Sequence, residues 1–538
     1  MIRPATVPAQ DKASLTFIAR HAYMENRALL ALIGLLLFGS AFAQWAPGIE
    51  WERALGGSGS DYTADVEQTI DGGYIAAGST HSNNGDVSGN HGGDDLWVVK
   101  LDATGALIWQ KPLGGSLDDR AYSIEQTSDG GYVAAGYTTS NNGDVTGYHG
   151  GDDMWVVKLD ASGTLLWQKA LGGSDGDYAQ TILRTSDNGY IIAGQTSSND
   201  GDVTGNHGDR DFWIVKLDSA GTVLWQKTFG GTSYDTASSI AFTSDGGYVA
   251  AGLTYSINGD VTGNQGENDF WIVKFDDVGT LLWQRTLGGS DVDGAGSILQ
   301  TADGGYIVAG VTSSADGDVT GNHGGRDVWV VKLDSTGALS WQRAIGGSGD
   351  DSAHGIQLTN DGGYILSGHT TSNDGDVSGN HGNYDTWVMK LDSIGWLEWQ
   401  KPLGGSDYDV GGGIQQTADG GCVVASFARS SDGEITNSHG GFEGWIVKLG
   451  DIATGAQEMS TPVLTISPNP GNDLIRVSSD KEMCKATITI TDAFGRAVAH
   501  ERMNGTAHWL NVGHLPAGLY TLTMRSEQEA RSKRLVVD

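Results

Sequence analysis

The sequence predicts an all-β fold, a closed seven-bladed β-propeller followed by a small β-sandwich, and three observations predict it. Seven tryptophans recur every 58 residues, Trp97, Trp155, Trp213, Trp271, Trp329, Trp387 and Trp445, each opening the phrase Trp-x-Val/Met-Lys. A second series, Trp51, Trp109, Trp167, Trp225, Trp283, Trp341 and Trp399, keeps the same step. No window sustains the 3.6-residue apolar pattern of a helix. Self-similarity at a fixed period of this length means stacked supersecondary units.

One unit reads as four strands. Residues 123–127 form a short mixed run, and Ser128-Asp129-Gly130-Gly131 is a turn cluster. Tyr132 to Thr138 is rich in aromatic and β-branched residues, which suit a strand. A polar loop from Ser140 to Asp152 leads to a third strand, Met154 to Leu159. The turn Asp160-Ala161-Ser162-Gly163 then leads to a fourth, Thr164 to Lys169. Four antiparallel strands repeated seven times make a seven-bladed propeller. A parallel β-helix fits less well, because its rungs are shorter and this unit contains two tight hairpin turns.

The strand count adds a closure rule. The last unit stops after its third strand at Trp445-Ile446-Val447-Lys448, while Ile49 to Leu55 precedes the first full unit and has no blade of its own. An unpaired sheet edge is a liability that ring closure removes. The N-terminal strand is therefore expected to complete the seventh blade. The phrases Leu113-Gly114-Gly115-Ser116, Asp129-Gly130-Gly131-Tyr132 and Trp155 to Asp160 resemble the bacterial seven-bladed β-propeller repeat family over residues 49 to 450. The resemblance implies fold and is nearly silent on activity.

The two ends read differently. Residues 1–23 are expected to be an upstream extension of the reading frame, with Met24 as the start. Residues 24–43 read as a signal peptide, with a charged start, an apolar run from Ala28 to Phe38 and an Ala41-Phe42-Ala43 exit; cleavage is expected between Ala43 and Gln44. The apolar run is too short for a transmembrane helix. The propeller is placed at 44–450 and a polar linker at 451–462. Residues 463–538 alternate strands with turns, as in a small immunoglobulin-like sandwich. Four motifs occur there in order: Pro468-Asn469-Pro470, Asp492 to Gly495-Arg496, Leu515-Pro516-Ala517-Gly518-Leu519-Tyr520, and Arg534 to Val537. They resemble the type A C-terminal sorting domain of the type IX secretion system of Bacteroidetes. That resemblance implies a partnership with the secretion machinery, passage through the periplasm and outer membrane, and secretion or display at the cell surface. An ordinary immunoglobulin-like binding domain would not fix those motifs.

Composition narrows the function classes. A formal charge of −34 excludes nucleic acid and anionic membrane surfaces as partners, because both need clustered Lys and Arg. The two cysteines, Cys422 and Cys484, fall in different expected domains, so no disulfide is expected between them. Cys422 occupies a position held by Tyr306 and Tyr364 and reads as a buried strand thiol.

Candidate chemistry lies on the face where the long loops and the blade crossovers emerge. The crossovers carry Asp61, Asp119, Asp177, Asp235, Asp293, Asp351 and Asp409. The loops carry Asp86, Asp144, Asp202, Asp260, Asp318, Asp376 and Glu434, with His91, His149, His207, His323, His381 and His439 nearby and Gln265 in the fourth unit. The phrase Asn199 to Asn206 packs oxygens as a hard cation requires, which makes calcium at the loop aspartates the one speculative cofactor. A residue repeated in every blade is more simply explained by turn geometry. Catalysis needs different groups placed once, and no catalytic residues are assigned. The singular departures Arg184, Phe242, His354, His369, Tyr148, Trp396 and Cys422 scatter along the chain. Trp396 is expected to be the one exposed aromatic. The functional expectation is a non-catalytic binding or adhesion module for an extracellular glycan or protein. The alternative is a hydrolase or lyase acting on extracellular polysaccharide.

Overall fold

The computed structural model describes residues 46–452, 465–467, 474–478, 486–491, 496–503, 507–525 and 530–537. The expected signal cleavage at Ala43 and Gln44, residues 453–462 of the linker, Cys484, Pro468 to Pro470 and Gly495 lie outside them. Two compact units are present, divided between Gly455 and Ala456.

In the first unit seven four-stranded antiparallel sheets follow one another around a ring. Blade one is built from Asp61–Gln68, Tyr74–Thr80, Asp95–Leu101 and Leu107–Leu113, innermost strand first. The pattern repeats through blade seven, Asp409–Gln416, Cys422–Ala428 and Glu443–Leu449, whose fourth strand is Ile49–Leu55. Trp51 pairs with Lys448 and Ala54 with Trp445 in that closing pair. Ring closure is thus the one expected from the strand count. The inner strands begin earlier than the sequence suggested: each starts at the crossover aspartate, so Asp61 and its six equivalents are strand residues.

The third strand of each blade is wholly buried, because it lies between two strands of its own blade and two neighbouring blades. The first tryptophan series sits there as the largest buried side chains. Each indole packs toward the preceding blade, as Trp271 does on Phe212 at 4.5 Å between ring centroids. Each indole N–H is satisfied within its own blade, Trp155 donating to Gln168 at 2.7 Å. The second series bridges blades from the outside: Trp109 of blade one meets Tyr132 of blade two at 5.8 Å. Cys422 is buried and free, and burial pushes its thiol up to about 12.

A second repeated device holds the turns of the opposite face. Lys158 is buried with its ammonium 3.1 Å from Asp129, and it also donates to the Leu159 carbonyl at 3.1 Å. The Thr127 hydroxyl, the Gly131 amide and Lys158 together hold Asp129 down to about 2.

The second unit has two sheets. Thr465–Ser467, Leu474–Ser478 and Ala507–Asn511 form one; Ala497–Met503, Ala486–Thr491, Gly518–Arg525 and Ala530–Val537 form the other. Ile475, Val477 and Leu510 from the first share a core with Ile488, Ile490, Leu522, Met524 and Leu535 from the second. The alternation read in the sequence is therefore the inner face of a small sandwich. Tyr520 is buried and donates from its hydroxyl to the Pro516 carbonyl at 2.7 Å, which fixes the turn that opens its strand at Gly518. Arg496 and Pro516 are exposed.

Candidate functional site

The repeated acids of the loop face engage backbone amides and hydroxyls. Asp177 is fully buried and accepts hydrogen bonds from the Thr196 hydroxyl, from the Ser198 hydroxyl at 2.8 Å and from the Gly173 amide at 2.8 Å. The Asp61, Asp119, Asp235, Asp293 and Asp351 copies repeat the three bonds. The crossover series is therefore absent from the acidic surface expected for this face. The loop aspartates face a glycine amide each. Asp86 Oδ2 lies 3.4 Å from the Gly56 amide, Asp144 3.3 Å from Gly114, Asp202 3.4 Å from Gly172 and Asp260 3.3 Å from Gly230. Asp318 lies 3.4 Å from Gly288 and Asp376 3.3 Å from Gly346. Among the described residues no three His, Cys, Asp or Glu side chains gather as a metal-holding group.

The histidines pair with a second buried acid. His91 Nδ1 lies 2.6 Å from Asp95, and His207 Nδ1 lies 2.6 Å from Asp211. Burial, opposed by the histidine, pushes Asp95, Asp153 and Asp211 up to about 6. Asp269 has Gln265 in place of a histidine, and burial takes it to about 7.

What differs from blade to blade lies elsewhere. Each inner strand carries a β-bulge, in blade one between Thr63 and Asp65. A bulge re-aims a side chain, and here the bulged residues are Ala64, Tyr122, Gln180, Ser238, Gly296, His354 and Gly412. All seven line one central cavity of about 780 Å³. The wall is uneven. Blades one to three contribute Tyr62, Asp65, Arg120, Tyr122 and Gln180; blades five to seven contribute five glycines, Gly296, Gly355, Gly411, Gly412 and Gly413, beside His354 and Phe427. A Cβ at Gly412 would meet the Ala64 carbonyl oxygen at 2.4 Å, so close approach of blades seven and one requires that glycine.

Around the cavity mouth the other variable positions meet one another across blade boundaries. Tyr62 packs on Phe427 and Phe442 at 5.2 and 5.5 Å, and Arg120 pairs with Asp94 at 2.6 Å. Tyr178 packs on Tyr137 at 5.2 Å, with Arg210 lying over both Tyr178 and Tyr234 at 5.8 and 5.5 Å. His354, His369, Tyr384 and Tyr408 form a column with 5.1 Å between successive rings. Tyr234, Tyr255 and Tyr408 stay exposed at this rim. Two expectations are corrected here. The singular departures do not all scatter: His354 meets His369 at 5.1 Å, while Tyr148, Trp396 and Cys422 lie apart from them. Trp396, exposed on the opposite face beneath Arg343 at 4.3 Å, is one of several exposed aromatics. Comparing the seven units column by column at the 58-residue step would have marked the rim positions among the variable columns.

Three acids sit deeper on the inner strands. Asp65 accepts the Ile124 amide at 3.0 Å, Glu67 the Gln126 amide at 2.6 Å and Glu125 the Arg184 amide at 3.3 Å. They occupy the edge-strand amides that no further strand pairs. Burial and then Asp65 push Glu67 up to about 7, against the Gln126 amide; burial and then Glu67 push Glu125 up to about 8.

Residues 465–538 match the family model of the secretion system C-terminal sorting domain. The C-terminal unit is a type IX sorting domain. It directs export across the outer membrane, to the cell surface or beyond, and implies contact with the secretion machinery. No described helix is long and apolar enough to cross a membrane. Among curated proteins the chain is similar to the regulatory protein FlaEY of Caulobacter vibrioides, 25% identical over 401 residues. That match covers 65% of this chain, which spans about 40% of the FlaEY length. Among solved structures the chain is similar to PorZ, described as an essential bacterial surface component of the type IX secretion system of Porphyromonas gingivalis. The TM-score is 0.30 at 12% identity, covering 87% of this chain and 73% of PorZ. The plexin A4 extracellular region gives 0.42 at 7% identity, covering 89% and 60%. The PQQ-bound aldose sugar dehydrogenase of Streptomyces coelicolor gives 0.31 at 13% identity, covering 64% and 99%.

Proposed function

We propose that this protein is an exported binding module that takes an extracellular glycan or protein at the rim of its central cavity. One observation carries the reading. Many of the positions that vary between blades meet at a single mouth, bringing aromatic, basic and histidine side chains together on one face. Exposed tyrosines beside arginine make an adaptable recognition surface, with a large apolar body and a polar tip. Asp65, Glu67 and Glu125 already serve backbone amides, which disfavours a carboxylate-pair hydrolase in the wall.

The test is a glycan and surface-protein array probed with the exported protein and with a Tyr234→Ala/Tyr255→Ala/Tyr408→Ala variant. Binding by the parent that the variant loses supports the reading. Equal binding by both refutes it. Turnover of a polysaccharide would replace it with the hydrolase or lyase alternative.

A further inference from the structure

On the face opposite the rim, the junction of blades three and four combines four departures from the repeat, two of which recur singly elsewhere: Arg184 and Leu358 also replace the junction glutamine, and Cys422 replaces the tyrosine next to Trp399. At the junctions of blades one and two, four and five, six and seven, and seven and one, a glutamine accepts a turn amide of the preceding blade. Gln126 takes Ile70 at 2.9 Å, Gln300 takes Ser244 at 2.7 Å, Gln416 takes Asn360 at 2.9 Å and Gln68 takes Ala418 at 2.8 Å. Between blades three and four that position is Phe242, which accepts no hydrogen bond and is exposed. The bridge between outer tryptophan and tyrosine is also altered. Trp51, Trp109, Trp167, Trp283 and Trp341 each meet a tyrosine of the next blade. Tyr248 instead stacks on Phe275 at 5.5 Å and meets Phe242 at 5.7 Å, where every other blade has leucine in place of Phe275.

The third departure is Lys216. Its six equivalents lie 2.9 to 3.1 Å from their aspartates, but Lys216 lies 3.6 Å from Asp187 and reaches the Tyr248 hydroxyl at 3.4 Å. The fourth is Arg184, an exposed cation where four blades carry that glutamine. These changes leave a groove of about 780 Å³, walled by Trp225, Phe242 and Leu224 and carrying Arg184 and Lys216.

We infer that this groove is a second ligand site, for an oligosaccharide whose sugars carry carboxylates. Trp225 and Phe242 offer flat apolar walls to the C–H faces of a sugar ring, as mixed apolar and polar pockets do for small ligands. The Arg184 guanidinium is a planar fork suited to a carboxylate. Lys216 is offset by Asp187 and Asp277, which also lines the groove, and Arg184 is the cation offered to a ligand carboxylate. Asn188 and the Ser186 turn supply polar groups at the edge for hydroxyls.

The experiment is calorimetric titration of the exported protein with tetragalacturonate, its neutral methyl ester and poly-glutamate. The parent is expected to bind the acid sugar more tightly than the ester. Arg184→Gln should weaken the acid on the order of tenfold and leave the ester unchanged, while Phe242→Gln should weaken both by a similar factor. Glutamine already occupies these positions in four blades, so both variants should fold, which circular dichroism would check. The Tyr234→Ala rim variant should bind tetragalacturonate like the parent, which separates this site from the one proposed above. Failure of the parent to bind tetragalacturonate, equal affinity for acid and ester, unchanged binding by both groove variants, or preference for poly-glutamate would each overturn the assignment.

Discussion

The indole N–H of Trp445 donates to Glu52 at 2.9 Å, across 393 residues of chain. Glu52 stands where the other blades use a glutamine from their own fourth strand, such as Gln168 under Trp155. The first strand of the propeller thus completes the polar pattern of the last blade as well as its backbone ladder.

Removing that strand should be far worse than altering its latch. Deletion of residues 49–55 exposes the edge at Glu443–Leu449, and aggregation or loss of cooperative thermal unfolding is expected. Glu52→Gln restores the repeat's usual partner and should change stability by less than about 0.5 kcal/mol. Glu52→Ala leaves a buried donor unpaired and should cost about 1–3 kcal/mol. Parent-like melting of the deletion would refute the closure.

The buried crossover aspartates should outweigh the rim. Asp177→Ala strips the partner from two hydroxyls and an amide, and a loss on the order of 3 kcal/mol is expected in urea unfolding. Tyr234→Ala, at an exposed ring, should stay within about 0.5 kcal/mol. Comparable losses would mean the aspartate is not the anchor described.

Stability should fall as pH rises through neutrality. Glu67 and Glu125 ordinarily titrate near 4.5 but hold their protons to about 7 and about 8 in the fold. Asp95, Asp153 and Asp211, raised from 3.8 to about 6, act in the same direction. In each case the folded state binds the proton more tightly, so the contribution is full below the unfolded value and is lost as pH rises through the folded one. Asp129, lowered to about 2, acts oppositely and loses its contribution as pH falls from 3.8 toward 2. Melting temperature should therefore decline from about pH 5 to 8, and Glu125→Gln should flatten the upper part of that decline. A melting temperature that rises over this window would contradict the buried placement.

Calcium should leave the loops unchanged. One oxygen of each of the Asp86, Asp144, Asp202, Asp260, Asp318 and Asp376 carboxylates faces a backbone amide. Equal melting temperatures in millimolar calcium, magnesium and chelator are expected. A rise specific to calcium would reveal a site there.

The sorting domain should be an address only. Deleting 463–538 is expected to leave the propeller's melting transition intact and to retain the chain in the periplasm, measured by fractionation. Normal surface display of the truncated chain would refute this.

Sequence by itself determined the repeat, the blade number, the closing strand and the address of the C-terminal unit. Each is carried by residues whose spacing is imposed by backbone periodicity: tryptophans every 58 positions, turn glycines, an orphan strand before the first unit and a missing one in the last. Tertiary structure alone decided which acids are surface and which are buried. Asp177 and Asp202 look alike as loop residues, yet the first begins a strand inside the ring and the second stays partly exposed. It also decided where asymmetry resides. His354 and His369 stand fifteen positions apart in sequence and touch because one is bulged into the cavity beside the next strand. Arg184 and Phe242, one repeat apart, line the same groove because adjacent blades place equivalent residues side by side. Sequence spacing records periodic geometry; contact between unlike residues of neighbouring units depends on closing the ring.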